Sequence, residues 1–181
     1  MNISAILLSI QGGDKQAFAE VVTRYQRPLF GFLGRMGLSR GQAEDLAQET
    51  FLRAWRNLGK FDPDRGEFST WLFTIAKNLA MNELSSATHG REVAVDEDHP
   101  ELPCARPQPC EALALEQRRE SLRAALRKLP PAERCTVALA YIQDLELAQI
   151  AQIEGCTTGA VKTRLHRAKR KLYHLLEKEH A

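Results

Sequence analysis

The chain has 181 residues, 44% of them hydrophobic and 27% charged, values of a globular protein rather than a disordered one. That length suits one ordinary domain or two small ones. The net charge of +2 hides a division: residues 1–84 hold 10 Lys and Arg against 9 Asp and Glu, residues 85–116 hold 2 against 7, and residues 117–181 hold 13 against 7.

A neutral head, an acidic middle and a basic tail imply separate roles, and the tail suits a polyanion such as nucleic acid. A merely solvated surface gives the same bias. Ala, Leu, Arg, Glu and Gln dominate while Val and Ile are sparse, which predicts an all-helical protein. No apolar run approaches a membrane span. Ile3–Ile10 is too short for a secretory leader and lacks its basic start. Cys104, Cys110, Cys135 and Cys156 lack the paired short spacing of a zinc site. A cytoplasmic protein with reduced thiols, no metal and no cofactor is therefore expected.

Ile3, Ile6, Leu7 and Ile10 recur at helical spacing, Gly12-Gly13 stops that helix, and Asp14 is placed to cap the next. Phe18, Val21, Val22, Tyr25, Leu29, Phe32 and Leu33 continue a stripe that Pro28 is expected to kink and Gly34 and Gly37 to end. Ser39 and Gln42 have the spacing of a capping box. The helix it opens carries Ala43, Leu46, Ala47, Phe51, Ala54, Trp55 and Leu58 on one face. Gly59–Glu67, reading GKFDPDRGE, is rich in breakers and reads as a loop. Phe68, Trp71, Leu72, Ile75, Ala76, Leu79 and Leu84 form the next stripe, with Lys77, Asn78 and Asn82 opposite.

From Ser85 to about Pro109 the pattern dissolves into Ser, Gly, acids and four prolines, a linker composition. Helicity resumes at Leu113, Leu115, Leu122, Leu126 and Leu129. Pro130-Pro131 breaks it, and Pro131 suits a helix start. Val137, Ala138 and Tyr141 mark the next helix and Leu145–Ile153 another. Gly155 allows a tight turn, and a last helix runs from Thr158 to about Glu177. The final elements have the order of a helix-turn-helix. Val161, Leu165, Ala168, Leu172, Leu175 and Leu176 make the buried face of the last helix. Lys162, Arg164, Arg167, Lys169, Arg170 and Lys171 place six cations within ten residues. Such a helix fits the DNA major groove with its first turns toward base edges. Lys162, Thr163, His166 and Arg167 are the base-edge or phosphate candidates, while Arg170 and Lys171 fall toward phosphate or solvent. An amphipathic helix with a solvated face has the same pattern, and Arg167 equally suits pairing with an acid.

TTGAVKTRLHRAKRKL (157–172) resembles the fourth region of the extracytoplasmic-function (ECF) sigma factors of the sigma-70 family. GDKQAFAEVVTRY (13–25), AEDLAQETFLRAW (43–55) and FSTWLFTIAKNLAMNEL (68–84) resemble the family's second region, and LRKLPPAERCTVALAY (126–141) the start of its fourth. The resemblance covers nearly the whole chain apart from the linker. It implies an all-α fold of two small helical domains: 1–86, which binds core RNA polymerase and opens the promoter; a flexible acidic, Pro-rich linker, 87–110; and 111–181, a helix-turn-helix that binds the upstream promoter element. The linker's acidity suits mimicry of a nucleic acid backbone or simple solvation.

By the same resemblance Asp45, Gln48, Glu49, Leu52, Arg53 and Trp55 belong to the polymerase-binding helix. Asp45 and Glu49 also suit pairing with Arg53 and Arg56, and Trp55 suits the core. Promoter opening requires capture of unpaired bases by aromatic stacking and hydrogen bonds. The resemblance nominates Arg65, Phe68, Ser69, Thr70, Lys77, Asn78 and Asn82 for it, although Phe68 and Trp71 also suit the core and Ser69 or Thr70 a helix cap. The upstream-element set is Thr158, Lys162, Thr163, Arg164, His166 and Arg167. Two departures stand out. Ser85-Ser86-Ala87 follows Leu84 where many relatives carry arginines, so weaker phosphate attraction is expected there. Leu147-Ala148-Gln149 stands where relatives often place an acid, so a different helix cap is expected.

No catalytic centre is implied, and no Gly-rich phosphate loop, metal cluster or nucleophile–base pair is evident. A polymerase-independent DNA-binding regulator shares the C-terminal pattern, but AEDLAQETFLRAW argues against it. The implied partners are core RNA polymerase, promoter DNA and an anti-sigma factor, commonly membrane-tethered, with no membrane insertion by this chain.

Overall fold

The computed structural model describes residues 3–11, 14–88 and 109–179. Most of the expected linker, with Cys104, lies outside the described residues, as does the side chain of Cys110. Eight α-helices follow one another among the described residues: α1 Ile3–Gln11, α2 Phe18–Arg35, α3 Arg40–Arg56, α4 Phe68–Thr88, α5 Pro109–Arg127, α6 Pro131–Tyr141, α7 Leu147–Glu154 and α8 Thr158–Glu179.

Local chemistry sets the ends of these helices. The Asp14 carboxylate accepts from the backbone N–H groups of Gln16 and Ala17 at 3.0 and 3.3 Å, opening the 3-10 turn that leads into α2. The α2 helix runs on through Pro28 and stops at Met36. Gly37, at φ +85°, then takes a left-handed conformation that side chains disfavour. The expected capping box is present: the Gln42 N–H donates to Ser39 Oγ at 3.3 Å, and Ser39 N–H donates to Gln42 Oε1 at 3.0 Å. Pro131 starts α6, and Gly155, at φ +66°, closes α7.

Three boundaries differ from the pattern of the sequence. The α4 helix continues past Leu84 to Thr88, and the Ser85 hydroxyl donates back to the Met81 carbonyl at 2.8 Å, so a polar residue adds to the turn where the apolar stripe has ended. The α5 helix begins at Pro109, four residues before the first leucine of its stripe, because proline is tolerated in a first turn that needs no N–H partner. The Gly59–Glu67 loop contains short 3-10 turns at Leu58–Lys60 and Pro63–Arg65.

In the N-terminal half α2, α3 and α4 pack on one another with α1 laid against α2. In the C-terminal half α8 packs on α5, α6 and α7. Val21, Leu29, Phe32 and Leu33 of α2 meet Leu72, Phe73 and Ala76 of α4, and the Phe32 and Phe73 rings stand edge to face at 5.5 Å. That core does not stop at the end of the half. It runs on through Cys135, Ala138 and Leu139 of α6, Ile150, Ala151 and Ile153 of α7, and Val161 of α8. A smaller cluster of Leu126, Leu129, Val137 and Ala168 joins α5, α6 and α8.

A buried arginine crosses the same boundary. Arg134, 8% exposed, donates through Nη1 to the Met36 carbonyl at 2.7 Å and through Nη2 to the carbonyls of Arg127 and Leu129, both at 2.9 Å. A Cβ on Gly37 would run into that Nη1 atom.

Ser39→Ala is expected to remove one half of the capping box and lower stability by about 1 kcal/mol. Urea unfolding followed by circular dichroism measures this. An unchanged midpoint would show that the cap contributes nothing.

Candidate polymerase and promoter surfaces

The α3 helix turns Ala43, Ala47, Phe51 and Ala54 inward. Asp45, Gln48, Leu52 and Arg53 are exposed and Glu49 half-buried. Leu52, at 47% exposure, is an apolar side chain left in solvent among polar neighbours. Arg53 Nε lies 2.6 Å from Glu49 Oε1, a pairing within the helix that also holds both side chains on this ridge. Trp55, half-buried, continues the same side of the helix past Leu52 and meets the Phe18 ring edge to face at 5.0 Å, so it is held by packing rather than free on the ridge.

Beside this ridge a cleft of about 760 Å³ opens between α2, α3 and α5. Phe30, Phe51, Leu122 and Leu126 line it together with Arg27, Arg35, Arg119, Arg123 and Arg127, and Gln48 stands at its edge. Burial first, and the neighbouring Arg123 charge second, push the Arg35 guanidinium below its ordinary pKa.

The loop before α4 is built around rings. Phe68 lies 5.4 Å from Phe61, 5.6 Å from Trp71 and 5.6 Å from Tyr25, and Phe61 lies 5.4 Å from Trp71. Phe68 and Thr70 are each only 2% exposed, so both belong to the core, and the Thr70 hydroxyl is buried with no hydrogen-bond partner. Phe61, Trp71 and Tyr25 are half-buried, and Phe61 and Trp71 are the two of these on the loop and on α4. Trp71 was legible only as part of an apolar stripe. Its position at the rim becomes visible once Phe68 fills the space beneath it.

Along α4, Trp71, Ile75, Asn78 and Asn82 follow one another at helical spacing and so share a stripe, with the two asparagines exposed. Lys77 Nζ donates to Asn78 Oδ1 at 3.0 Å. The Ser69 hydroxyl donates to Glu67 at 3.1 Å, and Arg65 is exposed. A half-buried indole followed by exposed amide side chains offers a stacking surface and both hydrogen-bond senses.

In the helix-turn-helix, α7 and α8 are joined through Glu154. Its carboxylate, 3% exposed, accepts from the Thr136 hydroxyl of α6 and pairs with Arg164 of α8. The Cys156 thiol donates to it at 3.7 Å. Cys135 lies beneath, and burial chiefly, with the Glu154 charge second, pushes its thiol up to about 12 against the opposing effect of Lys77 and Arg164. The α7 N-cap is Glu146, and its N–H donates to Gln149 Oε1 at 2.9 Å, so an amide closes the box from the third helical position.

Thr158, Lys162, Thr163, His166 and Arg167 are exposed on one side of α8, as are Lys169, Arg170 and Lys171. Arg164 is turned away from them to Glu154. Lys171 lies 2.7 Å from Glu133, and Lys169 sits 5.0 Å from the centre of the Tyr141 ring.

A two-part helical chain ending in a helix-turn-helix, with a cationic face free on its last helix, defines a DNA-binding transcription protein. Sequence models agree: that of Sigma-70 region 2 matches residues 21–89 and that of Sigma-70 region 4 matches residues 119–172. The chain belongs to the ECF sigma factors of the sigma-70 family. It is 32% identical over 179 residues to the ECF RNA polymerase sigma factor SigW of Bacillus subtilis, covering 95% of each chain. Among solved structures it resembles CnrH in complex with the cytosolic domain of CnrY, with TM-score 0.69, 26% identity and 96% of each chain covered. It also resembles the sigma factor RpoE in complex with the anti-sigma factor NepR from Bartonella quintana, with TM-score 0.66, 27% identity, and 88% of this chain and 96% of that one covered. Sigma factors are transcription initiation factors of RNA polymerase.

Arg164→Met is expected to strand the Glu154 carboxylate and lower stability by about 3 kcal/mol, the low end for a buried pair because Arg164 is itself 31% exposed. Thermal unfolding should show recovery in Arg164→Met/Glu154→Gln. A single variant as stable as the parent would mean that Arg164 is available for other contacts.

Proposed function

We propose that this chain brings core RNA polymerase to a particular class of promoters, and that an anti-sigma partner withholds it until a signal arrives. The observation that carries this reading is the α3 ridge, where Asp45, Gln48 and Leu52 leave an apolar group exposed between polar ones. A partner helix is gripped by an apolar centre with polar edges, and Glu49 and Arg53 extend that edge.

Residues 1–86 form the polymerase-binding and promoter-opening domain, 87–110 the linker and 111–181 the upstream-element domain. The half-buried rings Phe61 and Trp71, with Arg65, Ser69, Lys77, Asn78 and Asn82, hold an unpaired strand. Phe68 and Thr70 shape that surface from beneath. Thr158, Lys162, Thr163, His166 and Arg167 meet the duplex element, and Arg164 sets the angle at which they are presented. The mechanism is recruitment without an enzymatic centre: affinity comes from polymerase, promoter choice from the two DNA surfaces, and their binding energy offsets part of the cost of melting the duplex.

The resemblance to the sigma factor RpoE solved in complex with the anti-sigma factor NepR supports control by an anti-sigma factor. The arginine-lined cleft beside Gln48 touches both halves, so an inhibitor seated there would cover the polymerase ridge. No described helix is long and apolar enough to cross a membrane. We place the chain in the cytoplasm, held at the inner face of the membrane wherever its inhibitor is tethered there.

Co-elution with bacterial core polymerase tests the first claim. The parent chain is expected to bind stoichiometrically and Gln48→Ala/Glu49→Ala/Leu52→Ala to lose binding. A parent chain that ignores polymerase but grips specific duplex DNA unaided would replace this reading with that of an independent regulator. For the DNA surface, Lys162→Ala and Arg167→Ala in the holoenzyme are each expected to weaken upstream-element binding and reduce the slope of its salt dependence by about 1. Unaltered affinity and slope in both would remove them from the DNA face.

A further inference from the structure

The cations of α8 are not all free. Arg164 is committed to Glu154, and Lys171 Nζ lies 2.7 Å from Glu133 Oε1 of α6. Glu133 stands in the first turn of α6, where the helix dipole favours an anion. The pair is uneven, since the acid side chain is 13% exposed and the lysine 47%. The second carboxylate oxygen, Oε2, is buried and has no hydrogen-bond partner among the described residues. Exposed ion pairs are weak partly because two long side chains must both give up their freedom. Here the acid is already held by packing, so only the lysine gives up freedom to close the pair. Glu133 also borders a hollow that it shares with Thr163 and Arg167, two of the residues proposed to meet the duplex.

The geometry points to Glu133 as a specificity-determining residue that acts by withholding Lys171 from the phosphate backbone. Lys171 stands roughly 20 Å along α8 from Thr158. A helix that enters the groove by its first turns leaves a residue at that distance only phosphates to touch. A phosphate contact adds the same affinity on every sequence and carries no choice between them. With Glu133 in place, a phosphate must displace the carboxylate before Lys171 can serve it. Lys162, His166 and Arg167, nearer the start of the helix, form no ion pair among the described residues. The restraint therefore falls on sequence-indifferent binding and spares the residues placed to read base edges. The inference rests on the reading that α8 faces duplex DNA.

Fluorescence anisotropy of the full chain with a labelled mixed-sequence duplex, repeated over a range of sodium chloride concentrations, tests this without polymerase. Glu133→Gln keeps the shape of the side chain and releases the lysine. It is expected to bind severalfold more tightly than the parent and to steepen the salt dependence by about 1. Glu177→Gln makes the same change of net charge further along α8 and is expected to leave the slope where the parent has it. In a Lys171→Gln chain, Glu133→Gln is expected to leave the slope unmoved, because there is no lysine to release. Circular dichroism checks the fold. If Glu133→Gln unfolds, Glu133→Asp keeps the charge, draws it back from Nζ and is expected to move the slope in the same direction. A folded Glu133 variant with the parent's slope would overturn the proposal. So would an equal rise from Glu177→Gln, which would assign the effect to net charge, or a rise that persists without Lys171. Lys162→Ala gauges the underlying reading. A slope that it leaves unaltered would take α8 off the duplex, and the proposal would fall with the DNA face. A slope lowered by Lys162→Ala and unmoved by Glu133→Gln would remove the restraint alone.

Discussion

The Glu154 carboxylate is the group around which the C-terminal half is arranged. It sits at the end of α7, almost wholly out of water, where an unpaired charge would be very costly. Thr136 approaches it from α6, Arg164 from α8 and Cys156 from the turn between. Two helices and the turn between α7 and α8 each contribute one polar atom, and bringing those atoms together fixes how α8 lies against α7. With Arg164 committed inward, Val161 and Ala168 fall against the core and Lys162, His166 and Arg167 are left facing outward. The cationic face of α8 is thus the outer side of a structure organised by one buried anion.

Much of the fold could be read from local pattern. The apolar stripes predicted the helices, and Ser39 with Gln42, Pro131 and Gly155 marked ends where the structure has them. These features depend on neighbours within about one turn, and sequence spacing records such neighbours directly. Arg134 is the opposite case. A charged residue beside Glu133 reads as surface, and nothing near it indicates that its partner is the Met36 carbonyl 98 positions away. Arg164 likewise looked like one more cation of a basic helix until Glu154 was found beneath it. Periodicity identifies which face of a helix is buried and is silent on what buries it.

The loop before α4 shows the same limit on a smaller scale. Phe61, Phe68 and Trp71 could all be recognised as aromatic, yet their division into a buried ring and two half-buried ones follows from Tyr25, which arrives from α2 to pack on Phe68. The polar candidates were better placed. Asn78 and Asn82 are exposed because Leu72, Ala76 and Leu79, on the other side of α4, are taken by the core. The exposed ridge of α3 was legible for the related reason that Ala43, Ala47 and Ala54 leave only one way for α3 to lie.

The shared core has a consequence for the lifetime of the protein. Leu139, Ile150 and Ile153 belong to a cluster that both halves build, and parting the halves in water would uncover whatever part of it the other half covers. Apolar surface uncovered in this way is of the kind that attracts aggregation and proteolysis. A chain of this build is protected from both while its halves stay together or while a partner covers the same surface.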